Sequence, residues 1–176
     1  YQLSNVGDSV LHYGCRNPSL SVVKYLMAFF EEQKPESIYK TGEHACTILH
    51  SAAQFNSNAG VLQYLFEYFL TNKPEFIYTK NNVDESILHA AAMNKNFNVL
   101  VYIFDHFKDR GEHQFIFDAF TGNSPLHTAA EKGLTRNVKY LCQQIHTPDD
   151  LDAQVHKTFK SFEHELHNTV LHIAAV

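Results

Sequence analysis

A short motif that recurs five times is the feature of this sequence that most constrains its fold. Each copy opens with Ser or Thr and carries Leu-His two residues later; the copies begin at Ser9, Thr47, Ser86, Ser124 and Thr169. The motif histidines follow one another after 38, 39, 38 and 45 residues. A fixed period of this length predicts stacked structural units, each contacting its neighbours, rather than one central core.

The pattern within each unit predicts two helices. The opening Ser or Thr is a favourable N-cap, and Pro125 suits the first position of a helix. A second set of apolar residues, spaced three and four apart, then predicts a second helix with one apolar face. This set comprises Val22, Val23, Leu26, Met27 and Phe30; Val61, Leu62, Leu65, Phe66 and Phe69; Val99, Leu100, Ile103, Phe104 and Phe107; and Val138, Leu141, Cys142 and Ile145. Asn and Gly between the helices predict a turn in the left-handed conformation.

A third similarity follows the second helix. The segment Lys34-Pro-Glu-Ser-Ile-Tyr39 matches Lys73-Pro-Glu-Phe-Ile-Tyr78, and a looser match ends at Phe117. We interpret these segments as extended connectors that each bury one anchor, the anchors being Ile38, Ile77 and Ile116.

The segment Gly122-Asn-Ser-Pro-Leu-His-Thr-Ala-Ala-Glu-Lys-Gly133 closely resembles the ankyrin-repeat motif. With five Leu-His motifs and second helices in phase, the resemblance covers nearly the whole chain. It implies an all-α solenoid of stacked helix–turn–helix units with extended finger loops and a concave face. It also implies that each motif histidine forms hydrogen bonds within its own helix and to neighbouring loops.

The sequence departs from that family in its period, which is usually about 33 residues. We expect a second helix longer by about one turn, an insertion between Thr147 and Asn168, and a worn first repeat at Tyr13-Gly14-Cys15. The predicted organisation is one array over residues 1–176, with units at about 8–45, 46–84, 85–122 and 123–167 and a truncated unit at 168–176. Since the chain begins at Tyr1 and ends within a motif, we expect it to be a monomeric piece of a longer protein, with repeats or a cap after Val176.

The resemblance also implies where a partner would bind. Specificity in ankyrin repeats usually lies in the fingers and just after the Ala-Ala pair. The corresponding residues are Cys46, Gln54, Phe55, Glu85, Met93, Asn94, Asn123, Glu131 and Lys132. Phe55 and Met93 are apolar where water is expected, which is typical of a binding hot spot; the alternative is that the long fingers cover them.

Other side chains with chemical potential are interpreted as structural. Nucleotide-loop, nucleophile-elbow and zinc-protease motifs are absent from the sequence, so we expect no catalysis and no cofactor. We interpret the five motif histidines as structural, and the cluster from His156 to His167 as a solvated helix rather than a metal site. Tyr25, Tyr64, Tyr102 and Tyr140 recur at one helical position and are expected to pack against neighbouring second helices. A ligand-binding row of these rings is the alternative.

Composition narrows the remaining function classes. The net charge of −5 and the lack of a long basic run argue against nucleic acid as a partner. No apolar run reaches the ~18–20 residues of a membrane span, and the three cysteines at irregular spacing favour the cytoplasm. The leading hypothesis is a non-enzymatic protein-binding module of a scaffold or a pathogen effector acting in a host cell. The alternatives are a cytosolic domain of an ion channel, or the substrate-selecting arm of an enzyme whose catalytic domain lies elsewhere.

Overall fold

A computed structural model describes residues 7–112 and 123–146 of the chain. Within these two stretches the regular structure is helical, which confirms the predicted all-α class. The α-helices are α1 (Val10–Arg16), α2 (Leu20–Gln33), α3 (Ile48–Phe55), α4 (Ala59–Asn72), α5 (Ile87–Ala92), α6 (Phe97–Asp109), α7 (Pro125–Glu131) and α8 (Thr135–Gln143).

The helices form two parallel rows. The first helices of successive units, α1, α3, α5 and α7, pack side by side in one row. The second helices, α2, α4, α6 and α8, form the other row, and the two helices of each unit also contact each other. Each unit therefore completes its core against the next one, as the repeat period predicts.

The first helices start where the motif predicts. Thr47 is the N-cap of α3, and its Oγ1 accepts a hydrogen bond from the His50 backbone N–H at 3.3 Å. In return the Thr47 backbone N–H donates to His50 Nδ1 at 3.3 Å. This is a capping box in which histidine takes the place usually held by Glu or Gln. The same arrangement starts α1, α5 and α7.

The second helices are long and bury one face. They run for 14, 14 and 13 residues in the first three units. All five predicted core positions are buried in α4 and in α6, and the anchors Ile38 and Ile77 are fully buried. Ile116 lies outside the described residues.

Two predicted core residues are not in the core. Val22 is 41% exposed at the start of α2, and Cys142 is exposed near the end of α8. Helical spacing places both on an apolar stripe, but burial also requires a neighbouring unit on that side of the helix. The structure places Val22 on the outer side of the first unit.

The turns and connectors differ from their predicted conformations. The turn asparagines are not left-handed: Asn17 and Asn56 have φ values of −76° and −78°. Gly133, in the turn between α7 and α8, does have a positive φ, at 65°. Asparagine serves here through its side chain, which accepts the backbone N–H two residues later. The connectors start with 3-10 turns over Pro35–Ser37 and Pro74–Tyr78 instead of extended chain, because proline fixes φ at a value that such a turn requires.

Candidate protein-binding surface

Three of the motif histidines each tie their unit to the finger of the next unit. His12 Nε2 lies 3.0 Å from the Cys46 carbonyl oxygen, and His50 Nε2 lies 3.1 Å from the Glu85 carbonyl oxygen. His89 Nε2 is 2.6 Å from the carbonyl oxygen of Asn123. The predicted structural role of these three histidines is confirmed, while His172 lies outside the described residues.

The hydrogen bonds of His50 fit a neutral imidazole. A backbone N–H can only donate, so Nδ1 of His50, which receives the Thr47 N–H, must be unprotonated. The ring proton is therefore on Nε2, which donates it to the Glu85 carbonyl. Burial lowers the pKa of His50 to about 4, and the carbonyl contact only partly opposes this shift. Burial lowers the pKa of His12 as well.

Buried asparagines tie each unit to the preceding one. The Asn56 amide donates to the carbonyl oxygens of Cys15 and Asn17 at 2.7 and 2.8 Å. Asn94 and Asn137 repeat this pattern against the units before them. These carbonyls lie at or just beyond the end of a first helix, where no N–H group of the helix is left to donate to them. Sequence reasoning missed this role, although the recurrence of Asn-x-Asn at residues 56–58 and 94–96 was a usable signal.

The fingers are short loops held by their own backbone and by each other. In the first finger, residues 40–46, the Gly42 N–H donates to the Cys46 carbonyl at 2.8 Å. In the second finger, residues 79–85, the Asn81 N–H donates to the Glu85 carbonyl at 3.0 Å. The Asn82 N–H also donates to the His44 carbonyl at 2.9 Å, which joins the two fingers. Binding groups on them are therefore held at fixed separations.

A cleft of about 240 Å³ opens between the first finger, α1 and α3. Its lining consists of Asp8, Arg16, Glu43, His44, Cys46, Ser51, Gln54 and Phe55. The Arg16 guanidinium is paired with the buried Asp8 carboxylate. Its Cζ atom lies 5.0 Å from the Tyr13 ring centroid and 4.7 Å from that of Phe55. Arg16 therefore links a buried charge to an exposed aromatic ring.

The backbone of the first finger packs closely against Asp8 and His12 next to this cleft. The Asp8 carboxylate accepts the Glu43 N–H at 3.0 Å. A Cβ at Gly42 would lie 2.2 Å from Asp8 Oδ1 and 3.0 Å from His12 Nε2. Glycine at this position is thus required for the finger to pack so closely on α1.

Comparison with known families identifies the architecture. Residues 65–155, more than half of the chain, match a family described as ankyrin repeats in three copies. The chain belongs to the ankyrin-repeat family. Ankyrin-repeat domains are generally non-catalytic modules for protein–protein interaction. No curated protein matches the chain.

Three of the predicted binding residues of this ankyrin array meet in the cleft: Cys46, Gln54 and Phe55. Phe55 is 52% exposed, so the fingers do not cover it. The Gln54 amide lies 3.6 Å from the Met93 sulfur of the next unit, which is half-buried. Burial raises the pKa of the Cys46 thiol, which keeps it protonated and unlike an activated nucleophile.

The other predicted residues are distributed along the array. The Glu85 carboxylate accepts the Asn81 amide at 3.0 Å. Glu131 and Lys132 are exposed and pair with each other at 3.0 Å, and Asn123 supplies the carbonyl that His89 contacts. Asn94 is only 4% exposed and uses its amide inside the stack. Asn94 is therefore not part of the candidate surface, since a partner could reach it only by separating two units.

Two further expectations concern metals and membranes. Among residues 7–112 and 123–146, no group of three or more His, Cys, Asp or Glu residues is placed to hold a metal ion. The cluster from His156 to His167 lies outside the described residues. In the same two stretches, no helix is both long enough and apolar enough to cross a bilayer.

Proposed function

We propose that this ankyrin array binds a partner protein through the surface formed by the fingers and the first helices, with the cleft beside Phe55 as its centre. The observation that supports this proposal is the Phe55 ring itself. It is 52% exposed, yet Arg16 stacks on it and Asp8 fixes Arg16. An apolar ring held in place loses little conformational entropy when a partner covers it.

The chemistry around the ring resembles that of an interface hot spot. Aromatic residues and arginine are enriched at such positions, usually within a polar rim. Here Glu43 and His44 of the first finger border one side of the cleft, and Gln54 borders another. The half-buried Met93 extends the surface onto the next unit through its contact with Gln54.

The proposed role is recruitment or masking of another protein by a scaffold or effector in the cytoplasm. If the array is instead part of an ion channel, or the substrate-selecting arm of an enzyme, the surface of the fingers and first helices would still be available to a partner. The three described cysteines are free thiols, which supports a reducing compartment.

Site-specific crosslinking tests the proposal. In one sample a photo-reactive phenylalanine replaces Phe55. In a control sample it replaces Gln63, an exposed residue of α4 in the other row of helices. We expect a discrete adduct with a lysate protein from position 55 and none from position 63. Unlabelled wild-type array should compete for that adduct, whereas the Phe55→Ala variant should compete poorly. Equal adducts from both positions, or equal competition by Phe55→Ala, would place binding elsewhere.

A further inference from the structure

The exposed apolar side chains of this array are concentrated at one end. On α1, Val10 is 47% and Tyr13 48% exposed; on α2, Val22, Tyr25 and Phe29 are 41%, 72% and 45% exposed. Phe55 and Val83 are the other large apolar side chains exposed in the described stretches. We define the end face as Val10, Tyr13, Asn17, Val22, Tyr25 and Phe29.

The first-helix positions of the end face are buried in every later described unit. The residues in the position of Val10 are Ile48 and Ile87, both fully buried. In the position of Tyr13, Ser51 is 2% and Ala90 4% exposed. These residues occupy the same places in the repeated motif and in the same kind of helix. The difference in burial therefore comes from a neighbouring unit, which packs against α3 and α5 on this side but, within the described residues, not against α1.

The second-helix positions of the end face are also less exposed in later units, and the contacts there show which side chains cover them. In the position of Val22, Val61 and Val99 are fully buried. In the position of Tyr25, the Tyr102 ring lies edge-on to Phe66 of the preceding helix, with ring centroids 5.6 Å apart. Tyr140 packs likewise on Phe104 at 5.4 Å, and its hydroxyl donates to Asp105 at 3.1 Å.

The side-chain amide of Asn17 gives independent support, because it is a polar group and not one of these apolar side chains. Its Oδ1 accepts the Ser19 N–H at 2.8 Å, as the Asn56 Oδ1 accepts the Asn58 N–H at 2.8 Å. The Asn56 amide then donates to two carbonyls of the unit before it. The exposed Asn17 has its side chain anchored in the same way, but its amide group has no acceptor within residues 7–112 and 123–146.

We propose that the end face docks a further ankyrin unit. The occupant would present two backbone carbonyls at the end of its first helix to the Asn17 amide. Its second helix would present an aromatic ring to Tyr25, as Phe66 does to Tyr102. A terminal capping unit has a polar outer face, whereas this face is apolar and continues the α1/α3 and α2/α4 interfaces in register. The paired carbonyl requirement distinguishes an ankyrin unit from a general apolar partner.

To test this proposal, one unit of the chain is duplicated and placed before the end face. A second copy of residues 46–84 is inserted between Gly7 and Asp8, which keeps the register because Asp8 and Glu85 both directly precede a motif. Amide hydrogen exchange over α1 and α2 is compared between the parent and the extended chain. We expect exchange in α2 to slow by about tenfold or more when the face is covered. Unchanged exchange would overturn the proposal.

Two matched variants test the specific chemistry. Asn17→Asp keeps the acceptor oxygen and removes the amide donors, so it should reduce protection in the extended chain and have little effect in the parent. An equal effect in both would overturn the role of Asn17. Phe66→Asp in the inserted copy alone should abolish the gain in protection over α2; a gain that survives both substitutions would indicate nonspecific cover and overturn the proposal.

A second copy of the chain is the competing occupant. Light scattering of the unextended protein tests this directly, with the Tyr25→Asp variant as its control. We expect a monomer in both cases. A dimer that is lost with Tyr25→Asp would assign the face to self-association and overturn the proposal. These outcomes are independent of whether the cleft beside Phe55 binds a partner.

Discussion

The His50 imidazole Nε2 lies 3.1 Å from the carbonyl oxygen of Glu85, in the finger of the following unit. The same ring accepts the Thr47 backbone N–H through Nδ1. One neutral side chain thus starts its own helix and holds the next finger. Protonation would place a hydrogen on Nδ1 against the Thr47 N–H, so the capping bond depends on the uncharged form, whereas Nε2 donates to the Glu85 carbonyl in either form.

Stability should therefore fall when the pH is lowered. The folded-state pKa of His50, about 4, is below the ordinary value of 6.5, so the unfolded chain binds more protons between these two values. The stabilisation is fully present above pH 6.5 and is lost as the pH falls towards 4. For His50 the total is about 3 kcal/mol at one pKa unit per 1.36 kcal/mol. Urea unfolding at pH 7.5, 6, 5 and 4.5 would measure this trend.

The variant His50→Gln separates this histidine from other titrating groups. Glutamine can occupy the same capping-box position and does not titrate. The variant should be less stable than wild type at pH 7.5 but lose less stability on acidification. A pH profile parallel to that of wild type would contradict the assignment to His50.

Removing a buried asparagine amide should be costly. Asn94→Ala leaves the carbonyls of Ala53 and Asn56 without their donor. At roughly 1–3 kcal/mol for each unsatisfied buried group, we expect a loss of about 2–4 kcal/mol in the free energy of unfolding. Chemical denaturation measures it, with the exposed Asn98→Ala as a matched control that should change stability by less than about 0.5 kcal/mol. Similar losses in both variants would show that the amide bonds do not matter.

Breaking the Asp8–Arg16 pair should destabilise the first unit. Arg16→Gln leaves the 2% exposed Asp8 carboxylate without its guanidinium partner, and such a loss costs about 3 kcal/mol or more. The double variant with Asp8→Asn should recover much of that loss, since no unpaired charge remains. A double-mutant cycle of unfolding free energies tests the coupling, and purely additive losses would contradict it.

Truncating a core leucine tests the register of the stack. Leu88 is fully buried in α5, so Leu88→Ala should cost about 2–5 kcal/mol in urea unfolding. Val83→Ala, at a position that is 56% exposed on the second finger, is the control. A cost below about 1 kcal/mol for Leu88→Ala would contradict this placement.

Much of the fold was predictable because its signals act over a few residues. Thr47 and Ser86 cap their helices through bonds to residues two or three positions away. The three- and four-residue spacing of apolar positions placed Phe66 and Phe104 on the buried face without knowledge of their partners. The positions of Gln54 and Phe55 just after the Ala-Ala pair, at the end of α3, were likewise readable, although their convergence with Arg16 was not.

The sequence by itself determined the repeat, the two helices of each unit and the buried anchors Ile38 and Ile77, since identity and spacing suffice for these. Only the tertiary structure decided that Asn94 is an internal donor while Tyr25 is exposed. Asn94 reaches carbonyls 38 and 41 residues away, and Tyr25 differs from Tyr102 only in whether another unit lies against it. Burial at such positions depends on the neighbouring unit, which no local pattern specifies.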